Sequence, residues 1–172
     1  MRALLLLIPV LVLAGVACER KTAQTPSRPS VAVLPDTLFV NTEPPGAQPV
    51  EEVKKTAKVG DTVTISGRIG GSREPFVAER AVFTIVGPGI PACSDVEGDA
   101  CESPWDYCCE SKEDIAAHAA TIQVVGSNGM PIPESLRDAH GIKELSTVVV
   151  VGTVVMADGP NLVINATQIY TP

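Results

Sequence analysis

The feature that most constrains the fold of this chain is a set of five short runs rich in β-branched residues. In the first run, Val63, Ile65 and Ile69 alternate with polar residues, which is the period-two pattern of a strand with one buried face. Gly67 interrupts this run and Gly152 interrupts the fourth, and a glycine within a strand is typical of a bulge or a sharp bend. The five predicted strands are 62–69, 81–86, 121–125, 148–155 and 162–170.

The sequence between and before these strands has room for short helices only. Val50, Val53 and Ala57 recur at helical spacing, which predicts a helix before the first strand. A second short helix is predicted within 134–145, between the third and fourth strands. Five short strands with glycine bends and one or two short helices predict a mainly β domain over 50–172, folded as a five-stranded Greek-key barrel of the oligonucleotide/oligosaccharide-binding (OB) type.

The N-terminus has the pattern of an export signal. Residues 1–17 place Arg2 before an uninterrupted apolar or small run, and the run ends in a small-residue cleavage site. Cys18 follows, and the sequence 15–18 resembles a bacterial lipobox, whose cysteine is acylated after cleavage. The resemblance implies a lipid-anchored envelope protein, and Glu19 implies sorting to the outer membrane. Ordinary signal cleavage at the same bond is the alternative.

Residues 18–49 are predicted to form a tether between the lipid and the domain. The segment contains scattered serine, threonine and proline, and no helical or strand period persists in it, so extended polyproline-like geometry is favoured. Two runs, 31–34 and 38–40, are apolar enough to dock on the domain, so an added edge strand is an open alternative there.

The predicted domain is acidic, which argues against nucleic acid as a partner. Residues 50–172 contain nine Lys and Arg against seventeen Asp and Glu. Affinity for nucleic acid comes mainly from Lys and Arg that neutralise phosphates. Arg68, Arg73 and Arg80 are interpreted as solvated side chains, so oligonucleotide binding is the least supported function.

No motif for catalysis is present in the sequence. It has no glycine-rich phosphate loop, nucleophile elbow or Ser/His/Asp arrangement. His118 and His140 stand in no recognisable ligand spacing and are interpreted as surface or helix residues. No catalytic residue is therefore predicted, and an enzymatic function is not favoured.

A cysteine-rich insertion is predicted at 91–112. Its four thiols, Cys93, Cys101, Cys108 and Cys109, fit two disulfides in an oxidising compartment. A bond between the adjacent Cys108 and Cys109 would be strained, so two connectivities remain open. The same four thiols are candidate ligands of a tetrahedral zinc ion, although adjacent ligands fit a structural zinc site poorly. A redox thiol is a third interpretation, but the Cys-x-x-Cys motif is missing.

Acidic and aromatic residues surround these cysteines. Asp95, Glu97 and Asp99 stand at alternate positions and suggest a cation loop, with a solvated acidic loop as the alternative. We interpret the Trp105 indole as packing on a disulfide or over the end of the barrel. Contact of Trp105 and Tyr107 with a ligand or a partner is the alternative.

Several runs carry a resemblance to a known family. Residues 53–69, 147–154 and 162–164 resemble the bacterial OB-fold family of small exported proteins, in which a helix precedes the first strand. The insertion, with SPWDYCCE at 103–110, is similar to a group of exported OB-like lipoproteins of planctomycete-type bacteria. Members of these groups have no established catalysis, so the resemblance implies a location and a fold.

Two functional hypotheses follow from these features. The leading one is a non-enzymatic, lipid-anchored OB-type module that presents the cysteine-rich loop to an envelope protein, a small ligand or a cation. It needs no cofactor. The competing one is a metal-binding or thiol-redox protein that uses the four-cysteine cluster, with zinc as the expected ion.

Overall fold

A computed structural model describes residues 33–172 of the chain. The predicted signal peptide 1–17, the predicted lipid acceptor Cys18 and the first part of the tether lie outside the described residues. In the part that is described, the fold is mainly β with two short helices, as the sequence predicts. No helix among these residues is both long enough and apolar enough to cross a membrane.

The described elements follow one another in chain order with short connections, apart from the cysteine-rich insertion and the segment before β6. The strands are β1 (Phe39–Val40), β2 (Gln48–Pro49), β3 (Thr62–Ile69), β4 (Val82–Val86), β5 (Ala119–Gln123), β6 (Thr147–Asp158) and β7 (Asn161–Tyr170). The helices are α1 (Val50–Thr56) and α2 (Lys112–His118). Single 3-10 turns are formed by Cys93–Asp95 and Ala139–Gly141.

Five of the strands, β3 to β7, close into a ring. The antiparallel pairs are β3 with β4, β3 with β6, β4 with β5 and β6 with β7, and the parallel pair of β5 with β7 completes the circuit. The ring is uneven, because β3 and β4 pair only where Arg68 and Ile69 meet Val86 and Ile85. These five strands correspond to the five predicted from the sequence.

Apolar side chains at alternate positions of each strand fill the inside of the ring. Because successive strand side chains point to opposite faces, every second residue is buried. Fully buried side chains from five strands meet in one cluster, which includes Ile65, Ile69, Phe83, Ile85, Ile122, Val150, Ile164 and Ile169.

The two strand glycines have different roles. At Gly152 the pairing of β6 with β7 shifts register, so the predicted bulge is present there. At Gly67 the pairing of β3 with β6 is continuous, and the glycine instead permits close approach of β4. A Cβ at Gly67 would lie 2.9 Å from the carbonyl oxygen of Val86.

Part of the predicted tether belongs to the folded domain. Leu38 is 1% exposed and lies in the main core cluster, while β1 pairs with β7 and β2 pairs with β3, both in parallel. The edge strand that the sequence left open at 38–40 is therefore present. Residues before Val50 thus contribute two short strands and one buried side chain to the sheet and its core.

We predict that Leu38→Ala destabilises the domain by about 2 to 3 kcal/mol, the lower part of the range of about 2 to 5 kcal/mol for truncation of a buried leucine to alanine. Urea denaturation of the purified protein measures this loss. Val33→Ala is the matched control, because Val33 is 73% exposed and its truncation should change stability by less than about 0.5 kcal/mol. Equal midpoints for the two variants would show that this segment does not contribute to the core.

The helices agree with the sequence prediction in part. Helix α1 is confirmed, with Val50 and Val53 buried. The helix predicted within 134–145 is wrong, since Asp138 and His140 there adopt left-handed backbone conformations that interrupt a helix. The second helix is α2, which begins at the last residue of the predicted insertion.

Helix α2 has an N-terminal signal that the sequence analysis did not use. Ser111 is its N-cap, and the hydroxyl oxygen accepts a hydrogen bond from the Asp114 backbone N–H at 3.0 Å. A serine followed three residues later by an acidic residue is a pattern typical of a helix start.

Candidate metal centre

The cysteine-rich insertion connects β4 to α2 and is attached to the ring by two aromatic residues. Tyr107 is 1% exposed and belongs to a second buried cluster with Val86, Ile90 and Ala92. Its backbone is left-handed, with φ of 59°. This conformation is uncommon for a residue other than glycine, and it lies directly before the adjacent Cys108 and Cys109.

Trp105 attaches the same turn to the connection between β3 and β4. Its indole Nε1 donates a hydrogen bond to the Arg73 carbonyl at 3.1 Å, and its own carbonyl accepts from Gly71 N–H at 2.8 Å. Contact of Trp105 and Tyr107 with a ligand or a partner was the alternative interpretation from the sequence. In the structure Trp105 is bonded to the connection between β3 and β4, and Tyr107 is buried in the second cluster and not accessible to a partner.

Three cysteines and one aspartate converge on one point of the insertion. The Sγ of Cys108 lies 3.3 Å from that of Cys101 and 3.6 Å from that of Cys93. The Oδ1 of Asp106 is 4.0 Å from the sulfurs of both Cys93 and Cys101. The candidate ligand atoms of all four residues lie within 4.8 Å of one another, so the group can hold a metal ion. We call it the first group.

The local fold explains why Asp106 faces the sulfurs. Its Oδ1 accepts a hydrogen bond from the Cys108 backbone N–H at 2.9 Å, and its Oδ2 accepts one from the Ser103 hydroxyl at 2.9 Å. A side-chain bond to the backbone two residues later is an Asx turn. The turn is joined to Cys93, whose N–H donates to the Pro104 carbonyl at 3.1 Å.

The electrostatics of the first group favour a cation. Burial raises the pKa of Asp106, but hydrogen bonds from Ser103 and Cys108 and the charge of Arg73 outweigh it, so the pKa lies below its usual value. The pKa of the Cys108 thiol is raised, first by its hydrogen bonds with Cys101 and Cys93. Closely spaced acidic groups resist further ionisation, and a bound metal ion reverses this by supplying positive charge.

A second group of candidate ligands adjoins the first. The Sγ of Cys93, a carboxylate oxygen of Asp99 and the Sγ of Cys109 lie within 4.8 Å of one another. Asp99 is held by a hydrogen bond from the Cys101 backbone N–H to its Oδ1 at 3.2 Å. Cys93 therefore belongs to both groups, and it is the buried cysteine of the four, whereas Cys108 and Cys109 are exposed.

The predicted cation loop of Asp95, Glu97 and Asp99 is not assembled. Asp95 binds the guanidinium of Arg68 at 2.5 Å and accepts a hydrogen bond from the Ala92 backbone N–H at 3.2 Å. These contacts turn its carboxylate toward the ring, and neither Asp95 nor Glu97 enters the two ligand groups of the described residues. Asp99 alone joins cysteines, and Arg68 is an ion-pair partner, not a solvated arginine.

The two histidines lie outside both ligand groups. His118 ends α2, and its Nδ1 lies 2.9 Å from the Asp114 carbonyl oxygen. His140 stacks on Phe39 with ring centroids 4.1 Å apart. Their positions agree with the interpretation as helix or surface residues.

Comparisons with protein-family models, with curated proteins and with solved structures found no match for this chain. Its function is therefore argued from its own geometry. Sequence analysis found the four cysteines of the site but not the role of Asp106 or the grouping with Asp99. The Asx-turn spacing of Asp106 before Cys108 was the available signal.

Proposed function

We propose that this protein is a non-enzymatic metal-binding module of the cell envelope, which binds a soft transition-metal ion through the first group. The observation that carries the proposal is the separation of the sulfurs of Cys108 from those of Cys101 and Cys93, 3.3 and 3.6 Å. A disulfide brings two sulfurs to about 2.05 Å. Tetrahedral zinc with bonds of about 2.3 Å separates its sulfur ligands by about 3.8 Å, which is closer to the separations found.

The donor set favours zinc or monovalent copper over hard cations. Three thiolates are soft donors, and soft donors select zinc and Cu(I), whereas calcium and magnesium prefer all-oxygen sites. Asp106 takes the place that the sequence hypothesis gave to Cys109 as a fourth ligand. A closed set of four protein ligands is typical of binding or structural sites, since catalytic zinc keeps one position open.

The fold in this proposal is an OB-type Greek-key barrel. Numbered along the chain, the strands of the ring place the fourth beside the first, then the second and third, which is the Greek-key order. The cysteine-rich insertion then lies in the connection between the second and third strands of the barrel. Acylation of Cys18 and attachment to the outer membrane complete the proposal, supported by the lipobox-like sequence.

We predict that the reduced protein binds at least one equivalent of zinc and that Asp106→Asn lowers its affinity. A loss of about 10- to 100-fold is expected, because the neutral amide removes a ligand charge and weakens the turn that orients Cys108. Competition with a chromophoric chelator measures the affinity.

Glu102→Gln is the matched control, since it removes one negative charge from an exposed residue outside both ligand groups. Its affinity should stay within about twofold of the parent, as expected for an exposed charge in physiological salt. Purified protein with two disulfides, no free thiol and no bound metal would exclude the proposal, as would equal affinities for Asp106→Asn and Glu102→Gln.

A further inference from the structure

We propose that the insertion binds two metal ions that share the thiolate of Cys93. This inference rests on the proposed metal-binding function and adds a second site, formed by Cys93, Asp99 and Cys109. The first ion is bound by Cys93, Cys101, Cys108 and Asp106, and the sulfur of Cys93 bridges the two ions.

The two ligand groups overlap at Cys93. Within each group the candidate ligand atoms lie no more than 4.8 Å apart, which is a separation that one ion can span. Cys93 is common to both, with its sulfur 3.6 Å from that of Cys108 in the first group. Its burial, with 1% exposure, suits a central ligand surrounded by the others.

The adjacent Cys108 and Cys109 belong to different ligand groups. Neighbouring residues rarely supply two ligands to one tetrahedral ion, because structural zinc sites use spacings of two to four residues between paired cysteines. In the structure Cys108 belongs to the first group and Cys109 to the second. Two ions therefore explain a Cys-Cys pair that a single four-thiolate site does not accommodate.

The charge of the ligands and the exposure of two cysteines are compatible with two bound ions. Four thiolates and two carboxylates supply six negative charges, and two divalent ions supply four positive charges. Arg73 acts electrostatically on Asp106 and offsets part of the remaining negative charge. Cys108 and Cys109 are exposed, so each group has a ligand through which an ion can arrive from solvent.

The test is a zinc titration of the full, reduced, metal-free protein, with bound metal measured after equilibrium dialysis. We expect two zinc ions per chain. Cys109→Ser should bind one zinc ion, with the affinity of the remaining ion changed less than about threefold, because Cys109 is outside the first group. Cys109 is exposed, so this variant is expected to fold.

The outcomes separate the inference from the proposed function. One zinc ion per chain for both the parent and Cys109→Ser would overturn the shared-thiolate inference and leave single-ion binding intact. Two ions per chain in Cys109→Ser would also overturn it, because the second ion would then bind elsewhere. No stoichiometric zinc in the parent would overturn both.

Discussion

Cys93→Ser should abolish stoichiometric metal binding, with a loss of affinity of more than about 100-fold. Loss of residues that only orient a ligand costs about 10- to 100-fold in affinity, and removal of a ligand sulfur should cost more. Cys93 belongs to both ligand groups and is the buried cysteine among the four. No other single cysteine of the insertion is shared in this way, so its replacement removes a ligand from each site.

The matched control is the same substitution at Cys109, which should leave one ion bound. Metal analysis of both purified variants after dialysis gives the comparison. Far-ultraviolet circular dichroism of the metal-free proteins checks that the sheet is retained in Cys93→Ser. A Cys93→Ser protein that is folded and carries as much zinc as the parent would refute the assignment of Cys93 as a ligand.

Gly152→Val should destabilise the protein by about 4 kcal/mol, the largest effect on folding that we expect from a single substitution. A Cβ at Gly152 would overlap the carbonyl oxygen of Asn165 and lie 2.6 Å from the Cγ2 of Ile164. Overpacking a filled site costs about 1 to 3 kcal/mol, and displacement of β7 adds about 1 kcal/mol for each ladder hydrogen bond lost.

Denaturant unfolding of the purified variants measures this effect. Val155→Ala is the control in the same strand, because Val155 is 38% exposed and its truncation should cost less than about 1 kcal/mol. If Gly152→Val unfolded at the same denaturant concentration as Val155→Ala, β7 would not approach β6 at the bulge as closely as the structure shows.

Part of the candidate site could be predicted from the sequence. The composition of the insertion identified Cys93, Cys101, Cys108 and Cys109 as metal or disulfide candidates. It did not show which acidic residue would join the cysteines, since Asp95, Glu97 and Asp99 all carry a carboxylate. Asp95 is removed from the site by its ion pair with Arg68, a residue 27 positions earlier in the chain. Contacts over such separations leave no periodic signal in the sequence.

The contacts that hold the insertion against the ring could not be predicted from the sequence either. The sequence left open whether Trp105 and Tyr107 pack on the domain or contact a ligand or a partner. In the structure Tyr107 fills a pocket beside Gly70, where a Cβ would lie 2.9 Å from its Cε2. Whether an aromatic side chain faces solvent or the domain depends on which surface the loop meets.

The sequence by itself determined the strands of the ring, helix α1 and the mainly β class. Alternation of apolar and polar residues states which face of a strand is buried, and this information is local. Only the tertiary structure decided which strands pair to close the ring, that β1 and β2 join the sheet and that the cysteines divide into two groups around Cys93. These features depend on contacts between distant residues, whose partners are selected by closure of the whole chain and not by any local pattern.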